Sequence, residues 1–273
     1  MSASRVLTLP PRGSLLVSTD LHGDLDAFDA LQARFLGLLE VSPESHWVQL
    51  GDIVHGPDAR AAREEPEVYG YVDRSWEVVQ GFLRAQEAHP GRVHFVLGNH
   101  DYGHIGGMHT GKFHPDEVEH LEGPLDGASR EALKAFFRRA LLAVVTPCGA
   151  LLTHGSPDDL LPDLGTLARM DLPPTEDAHR LVLRSFLWAY GQPGPVTERL
   201  LATVSRAGVP VRMVLHGHDK DETGWFTEGG NQGCPVIFGA PRARRRCVVL
   251  DLAAHYPSIG ALREGVELLP VHP

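Results

Sequence analysis

The chain has 273 residues, 42% hydrophobic and 22% charged, enough to build one large soluble core or two small ones. A formal net charge of −10 argues against nucleic acid as a partner, and the absence of any long apolar run or basic-then-apolar leader argues against a membrane span or secretory signal. Three cysteines, Cys148, Cys234 and Cys247, lack metal-ligand spacing and cannot all pair, which points to a reducing cytoplasm.

Residues 1–13 read as a loose lead-in. Residues 14–19, SLLVST, form an apolar strand that runs into Asp20-Leu21-His22-Gly23-Asp24. Leu25, Phe28, Leu31, Phe35, Leu38 and Leu39 then keep a helical period, and 46–50, HWVQL, is a second strand ending in Gly51-Asp52. A polar stretch over 57–66 precedes a helix over 72–88. The run 92–101, RVHFVLGNHD, is a strand apolar on both faces that stops at Gly98 and delivers Asn99, His100 and Asp101. A glycine- and histidine-rich loop over 102–115 is long enough to be a functional element, a lid or a substrate contact.

Helices are expected over 115–121 and 129–140. Two strand pieces in 143–153 form a hairpin broken at Pro147-Cys148-Gly149-Ala150, the second ending in Thr153-His154-Gly155. Residues 158–174 read as irregular, 175–189 and 196–206 as helices, and 211–215 as a strand running into His216-Gly217-His218-Asp219. From Gly224 the apolar runs GWF, PVIFG, CVVLDL and VELL alternate with turns, a β-rich half-sheet rather than a separate domain. With no linker and no repeat in evidence, 1–273 is read as one domain.

Five strands thus end in a carboxylate, amide or imidazole beside a glycine. The carboxyl edge of a sheet is where open α/β folds place their chemistry. Gathered there, these nitrogen and oxygen donors suit Mn, Fe or Zn in an open catalytic site rather than a structural zinc. They are too many for one ion, and a carboxylate shared between two ions about 3.5–4 Å apart uses them economically.

The order D-x-H, GD, GNHD, HG, GH, from Asp20 to His218, resembles the calcineurin-like metallophosphoesterases. That resemblance implies an α/β fold, a four-layer α/β/β/α sandwich with mixed sheets. The second histidine of a G-H-x-H ending is absent, since Lys220 stands there. The spacing from His218 to Gly224-Trp225, the loop Gly239-Ala240-Pro241-Arg242 and His154-Gly155-Ser156-Pro157 are similar to the serine/threonine phosphoprotein phosphatase branch of bacterial type. Carried over, the resemblance implies that Asp20 and His22 hold a first metal, Asp52 bridges, and Asn99, His154 and His218 hold the second, with His216 the rival of His218. A water bridging two divalent cations, Mn foremost, would attack phosphorus, and His100 would protonate the leaving oxygen or stabilise its charge.

Two departures stand out. Where these phosphatases read G-D-x-V-D-R-G, the chain has His55 for the aspartate that orients the catalytic histidine and Gly56 for an arginine that clamps phosphate; Leu97 replaces the second clamp arginine. Phosphate favours arginine forks, so His55, Arg60, Arg63, Arg180, Arg184 or the Arg242–Arg246 cluster, with Arg242 foremost, are candidate replacements. The expected activity is phosphoric monoester hydrolysis on a phosphorylated protein or small phosphoester. The alternatives are a nucleotide-directed hydrolase, such as one for dinucleoside polyphosphates or diesters, and a non-catalytic metal-dependent binding module.

Overall fold

The structure, a computed structural model, describes residues 4–272. Two mixed sheets carry the chain. The five-stranded sheet runs in the order β11 (Leu268–Pro270), β10 (Arg246–Asp251), β2 (Ser14–Ser18), β3 (His46–Leu50), β4 (Val93–Val96). The six-stranded sheet runs β1 (Val6–Thr8), β5 (Ala143–Val145), β6 (Ala150–Leu152), β7 (Met213–Leu215), β9 (Gln232–Pro235), β8 (Trp225–Glu228). Strands β2, β3 and β4 pair in parallel, as do β6, β7 and β9, so the ends that carry the polar motifs point the same way.

The period of two along each strand sorts side chains into two cores. Leu15, Val17, Val48 and Leu50 of one sheet pack with Val144, Leu152, Met213 and Leu215 of the other. Their neighbours Leu16 and Trp47 face a second core shared with the helices. There Trp47 meets Phe28 of α1 (Leu25–Val41) at 5.6 Å between ring centroids. The shorter segments α2 (Ala59–Glu64) and α3 (Pro66–Tyr69) follow β3, and α4 (Ser75–Ala88) brings Phe82 to within 4.9 Å of the same indole. Burying each such side chain is worth about 1.5–3 kcal/mol. The remaining helices are α5 (Asn99–Tyr102), α6 (Glu117–Glu122), α7 (Gly127–Arg138), α8 (Leu164–Ala168), α9 (Asp177–Trp188) and α10 (Gly194–Ser205).

The structure departs from the sequence reading in five places. The lead-in contains β1, which pairs in parallel with β5. The polar stretch 57–66 contains α2, capped by the Asp58 carboxylate on the amides of Arg60 and Ala61, and the irregular stretch 158–174 contains α8, capped by Asp163 on Thr166. The apolar run 236–238 is not the strand; β9 precedes it and ends at Pro235, the Val236 N–H still bonding the Gly224 carbonyl at 2.9 Å where the chain turns. The C-terminal runs divide between sheets, β8 and β9 joining one, β10 and β11 the other.

Candidate metal centre

Asp20 and His22 follow β2, Asp52 follows β3, Asn99 opens α5 after β4, His154 follows β6 and His218 follows β7. The sequence motifs therefore meet where the two sheets present their carboxyl ends. Asp20, His22, Asp52, Asn99, His100 and His154 are buried, and His218 is partly so. The backbone turns abruptly there. Asp20, His22, Asp52, His55 and His218 all have φ between 41° and 69°, and they are the only non-glycine residues in that region among the described residues. Aspartate and histidine tolerate left-handed backbone better than branched or bulky side chains.

Proton positions follow from the partners. His22 Nδ1–H donates to the His55 carbonyl at 3.1 Å, and His154 Nδ1–H donates to the Leu50 carbonyl at 2.7 Å. Both rings therefore turn an Nε2 lone pair inward. Those two nitrogens stand 3.6 and 3.5 Å from the same oxygen, Asp52 Oδ2, and His154 Nε2 lies 2.9 Å from Asn99 Oδ1. Acceptors facing acceptors repel unless a cation lies among them. Asp52 Oδ1 instead accepts the His100 amide at 2.9 Å. Among the described residues three clusters of metal-ligating atoms form: His22–Asp52–His100 and Asp52–His154–His218, which share Asp52, and His55–His100–Glu117 behind them. Asp20 lines the same cavity and its carboxylate accepts the His218 amide at 3.0 and 3.2 Å. This donor set fits two divalent cations with Asp52 between them.

The electrostatics agree. Burial pushes the Asp20 pKa up to about 6, with Asp52 adding and His154 opposing. Burial opposes a charge on His154, yet the carboxylates of Asp52 and Asp20 pull its pKa upward. A buried anionic cluster of this kind calls for positive charge. Asp101, fully buried, accepts the amides of Asp52 (2.7 Å), Ile53 (3.2 Å) and Gly98 (2.8 Å) and so ties the second motif to the third.

The cavity above these groups has a volume of about 360 Å³ and adds Lys112, Lys220, Phe238, Trp188 and Tyr190 to its walls. Lys112 Nζ lies 4.0 Å and Lys220 Nζ 4.9 Å from the centre of the Phe238 ring. Burial first, and Lys220 next, bring the Lys112 pKa down to about 7. Neither lysine was among the sequence candidates for the phosphate clamp. Lys112 lies in the glycine-histidine loop, whose length was the available signal, and Lys220 occupies the position of the missing histidine.

Of the sequence candidates, Arg242 does not line this cavity. Its guanidinium pairs with Asp26 beside a separate depression. In the same cluster Arg245 is buried against Asp24, and Arg246 pairs with Glu264. Arg60 pairs with Glu64 and Arg180 with Asp177 at the surface. His55 does not line the cavity either; it packs behind His100, with 3.2 Å between their Nδ1 atoms. His216 is fully buried and holds the Gly217 carbonyl at 2.9 Å, outside all three ligand clusters.

Comparison with known proteins accords with this geometry. Residues 13–250 match the family model described as calcineurin-like phosphoesterase. No curated protein matches the chain at a significant level. Among solved structures, a protein serine/threonine phosphatase from Saccharomyces cerevisiae, described as similar to human phosphatase PP5, aligns with a TM-score of 0.60 at 18% identity, over 90% of this chain and 76% of that one. A cold-active protein-tyrosine phosphatase of a psychrophilic Shewanella aligns with a TM-score of 0.59 at 14% identity, over 91% and 78%. At these identities the likeness is one of fold. The family match spans most of the chain, from the first strand of the five-stranded sheet's parallel core to β10, and takes in every motif of the centre: the chain belongs to the calcineurin-like phosphoesterases, metal-dependent hydrolases of phosphoester bonds.

Proposed function

We propose that the protein is a phosphomonoesterase of the phosphoprotein phosphatase kind, working with two divalent cations, Mn foremost and Fe or Zn as alternatives. The observation that carries this reading is the pairing of Lys112 and Lys220 at the mouth of a cavity whose floor is the Asp52-centred cluster. Two ammonium groups above a dinuclear floor complement a terminal phosphoryl dianion, which a monoester presents and an internal diester does not.

In this reading Asp20, His22 and Asp52 hold one cation, and Asp52, Asn99, His154 and His218 the other. When bound, the two cations would supply charge for the phosphoryl oxygens and would activate a water for in-line attack. Lys112 and Lys220 grip the phosphoryl oxygens that face away from the floor. His100, whose Nδ1 is engaged behind the ring, turns Nε2 toward the cavity and protonates the leaving oxygen. The buried free thiols Cys148, Cys234 and Cys247 suit a reducing cytoplasm, and among the described residues no helix is long and apolar enough to cross a membrane.

A second reading, a nucleotide-directed phosphohydrolase, is favoured by Trp188 and the exposed Tyr190 on the cavity wall, which offer faces for a base. The Mn-loaded protein assayed against phosphopeptides, p-nitrophenyl phosphate and dinucleoside polyphosphates separates the two. Phosphopeptide turnover with little on dinucleotides is the expected result; the reverse preference would overturn the phosphoprotein reading.

A further inference from the structure

A buried row of side chains leads away from the cavity behind His100. Lys134 Nζ lies 2.9 Å from Glu122 Oε2, Glu122 Oε1 lies 2.9 Å from His104 Nδ1, and His104 Nε2 lies 2.9 Å from His55 Nε2. The protons of this row can be assigned from its charged end. The Glu122 carboxylate, held at about 2 chiefly by its bond from His104, has no proton to give, so His104 Nδ1–H donates to it. Burial keeps His104 neutral against the pull of Glu122, so its Nε2 accepts from His55 Nε2–H. A neutral His55 that gives its Nε2–H to His104 is left with a lone pair on Nδ1. That lone pair faces His100 Nδ1 at 3.2 Å, so the proton between the two rings belongs to His100.

Glu117 stands beside that proton. Its side chain is fully buried, with Oε1 accepting the Phe113 amide at 2.9 Å, while Oε2 has no hydrogen-bond partner and lies 3.1 Å from His100 Nδ1, at ion-pair distance. Thr110 Oγ1 lies 3.2 Å from His100 Nδ1 and 3.3 Å from His55 Nδ1. Burial works against a charge on Glu117, but the neighbouring His100, with Thr110 and the Phe113 amide, outweighs it and brings the carboxyl down to about 2. Glu117 and Glu122 are the first and last residues of α6, so one short helix brackets the row at both ends.

We propose that Glu117 is the positioning residue of His100: its buried, otherwise unpartnered Oε2 lies at ion-pair distance from Nδ1 and favours the ring with a proton there, so that the proton available to the substrate is the one on Nε2. The inference rests on the acid role given above to His100. As the phosphorus–oxygen bond to the alcohol breaks, its electron pair stays on that oxygen and takes the Nε2 proton. His100 is left neutral with its proton on Nδ1, and the negative charge of Glu117 beside it balances the ring before the transfer. The carboxylate therefore comes from the segment after the glycine-histidine loop and not from the second motif, where His55 stands.

The test compares the metal-loaded wild type, Glu117→Gln and His100→Asn on p-nitrophenyl phosphate and on an alkyl phosphate, with metal content and KM measured alongside. Glu117→Gln is expected to lower kcat on the alkyl ester by about 10–100-fold, within the reach of general-acid catalysis. The loss on the nitrophenyl ester should be clearly smaller, with KM and metal content held. Equal losses on both esters would overturn the proposal. So would loss of an ion, which would make His55, His100 and Glu117 a cation site of their own. If His100→Asn itself failed to discriminate between the esters, the acid role would fall, and the positioning role with it; discrimination by His100→Asn but not by Glu117→Gln would sink the positioning role alone. Ring nitrogen-15 shifts of the Zn-loaded wild type give a readout that needs no variant: His100 Nδ1 should be protonated and His55 Nδ1 bare, and the opposite assignment would overturn the proposal.

Discussion

Lys112 and Lys220 meet at the ring of Phe238, one from the glycine-histidine loop and one from the segment after β7, with Nζ atoms 4.0 and 4.9 Å from its centre. Among the described residues no carboxylate pairs with either ammonium; Lys220 Nζ lies 3.3 Å from the Tyr69 hydroxyl. An anion placed between them relieves their mutual repulsion. Lys112→Met and Lys220→Met should each raise KM for a phosphomonoester by about 10–100-fold, the equivalent of one charge-assisted hydrogen bond. Arg242→Met should leave KM unchanged. Steady-state kinetics at fixed metal decide it, and a larger effect at Arg242 would return the clamp to the arginine cluster.

Asp52→Asn should abolish binding of the metal pair. One carboxylate oxygen faces both His22 and His154, and an amide in its place removes the charge that holds two cations side by side. Metal analysis after gel filtration is the check; two tightly bound ions per chain in the variant would remove Asp52 from the bridging position.

His100→Asn should reduce kcat by about 10²–10⁴-fold while both ions stay bound. Its neighbour Asn99 faces His154, whereas His100 turns to the cavity wall. An ion lost along with activity would make His100 a ligand.

His218→Ala should be far more damaging than His216→Ala. His218 joins Asp52 and His154 within ligating distance, while His216 lies under the strand end against Gly217. Comparable losses in turnover and metal content would reverse that choice. Faster cleavage of bis-p-nitrophenyl phosphate than of the monoester would move the protein toward the phosphodiesterases.

Arg245→Met should destabilise the fold by about 3–5 kcal/mol, because it strands the buried Asp24 carboxylate that caps α1 on the Ala27 amide. Urea denaturation measures this, and a loss below about 1 kcal/mol would mean that water reaches Asp24.

What was legible in the sequence is what local pattern carries. Asp20, His22, Asp52, Asn99, His154 and His218 each follow an apolar strand beside a glycine, so their convergence could be read before any coordinate. Glu117, Lys112 and Lys220 carry no such mark. Their partners, His100 and Phe238, are set by how a loop folds over the sheet edge. Strand β1 was missed for a related reason, since three residues acquire strand character only through pairing with β5, far along the chain. The helices α2 and α8 were different: Asp58 and Asp163 advertised their caps, and composition masked the signal.

The left-handed backbone at Asp20, His22, Asp52, His55 and His218 bears on how robust the protein can be made. Such a conformation costs an ordinary residue about 1–2 kcal/mol, so five of them together approach the net stability of a typical domain, about 5–15 kcal/mol. Glycine would adopt the same turns freely. Replacing Asp20, His22, Asp52 or His218 by glycine relaxes the backbone at that turn and removes a donor of the centre, so such chains should hydrolyse nothing. Thermostability selected without an assay for turnover would therefore erode the centre first.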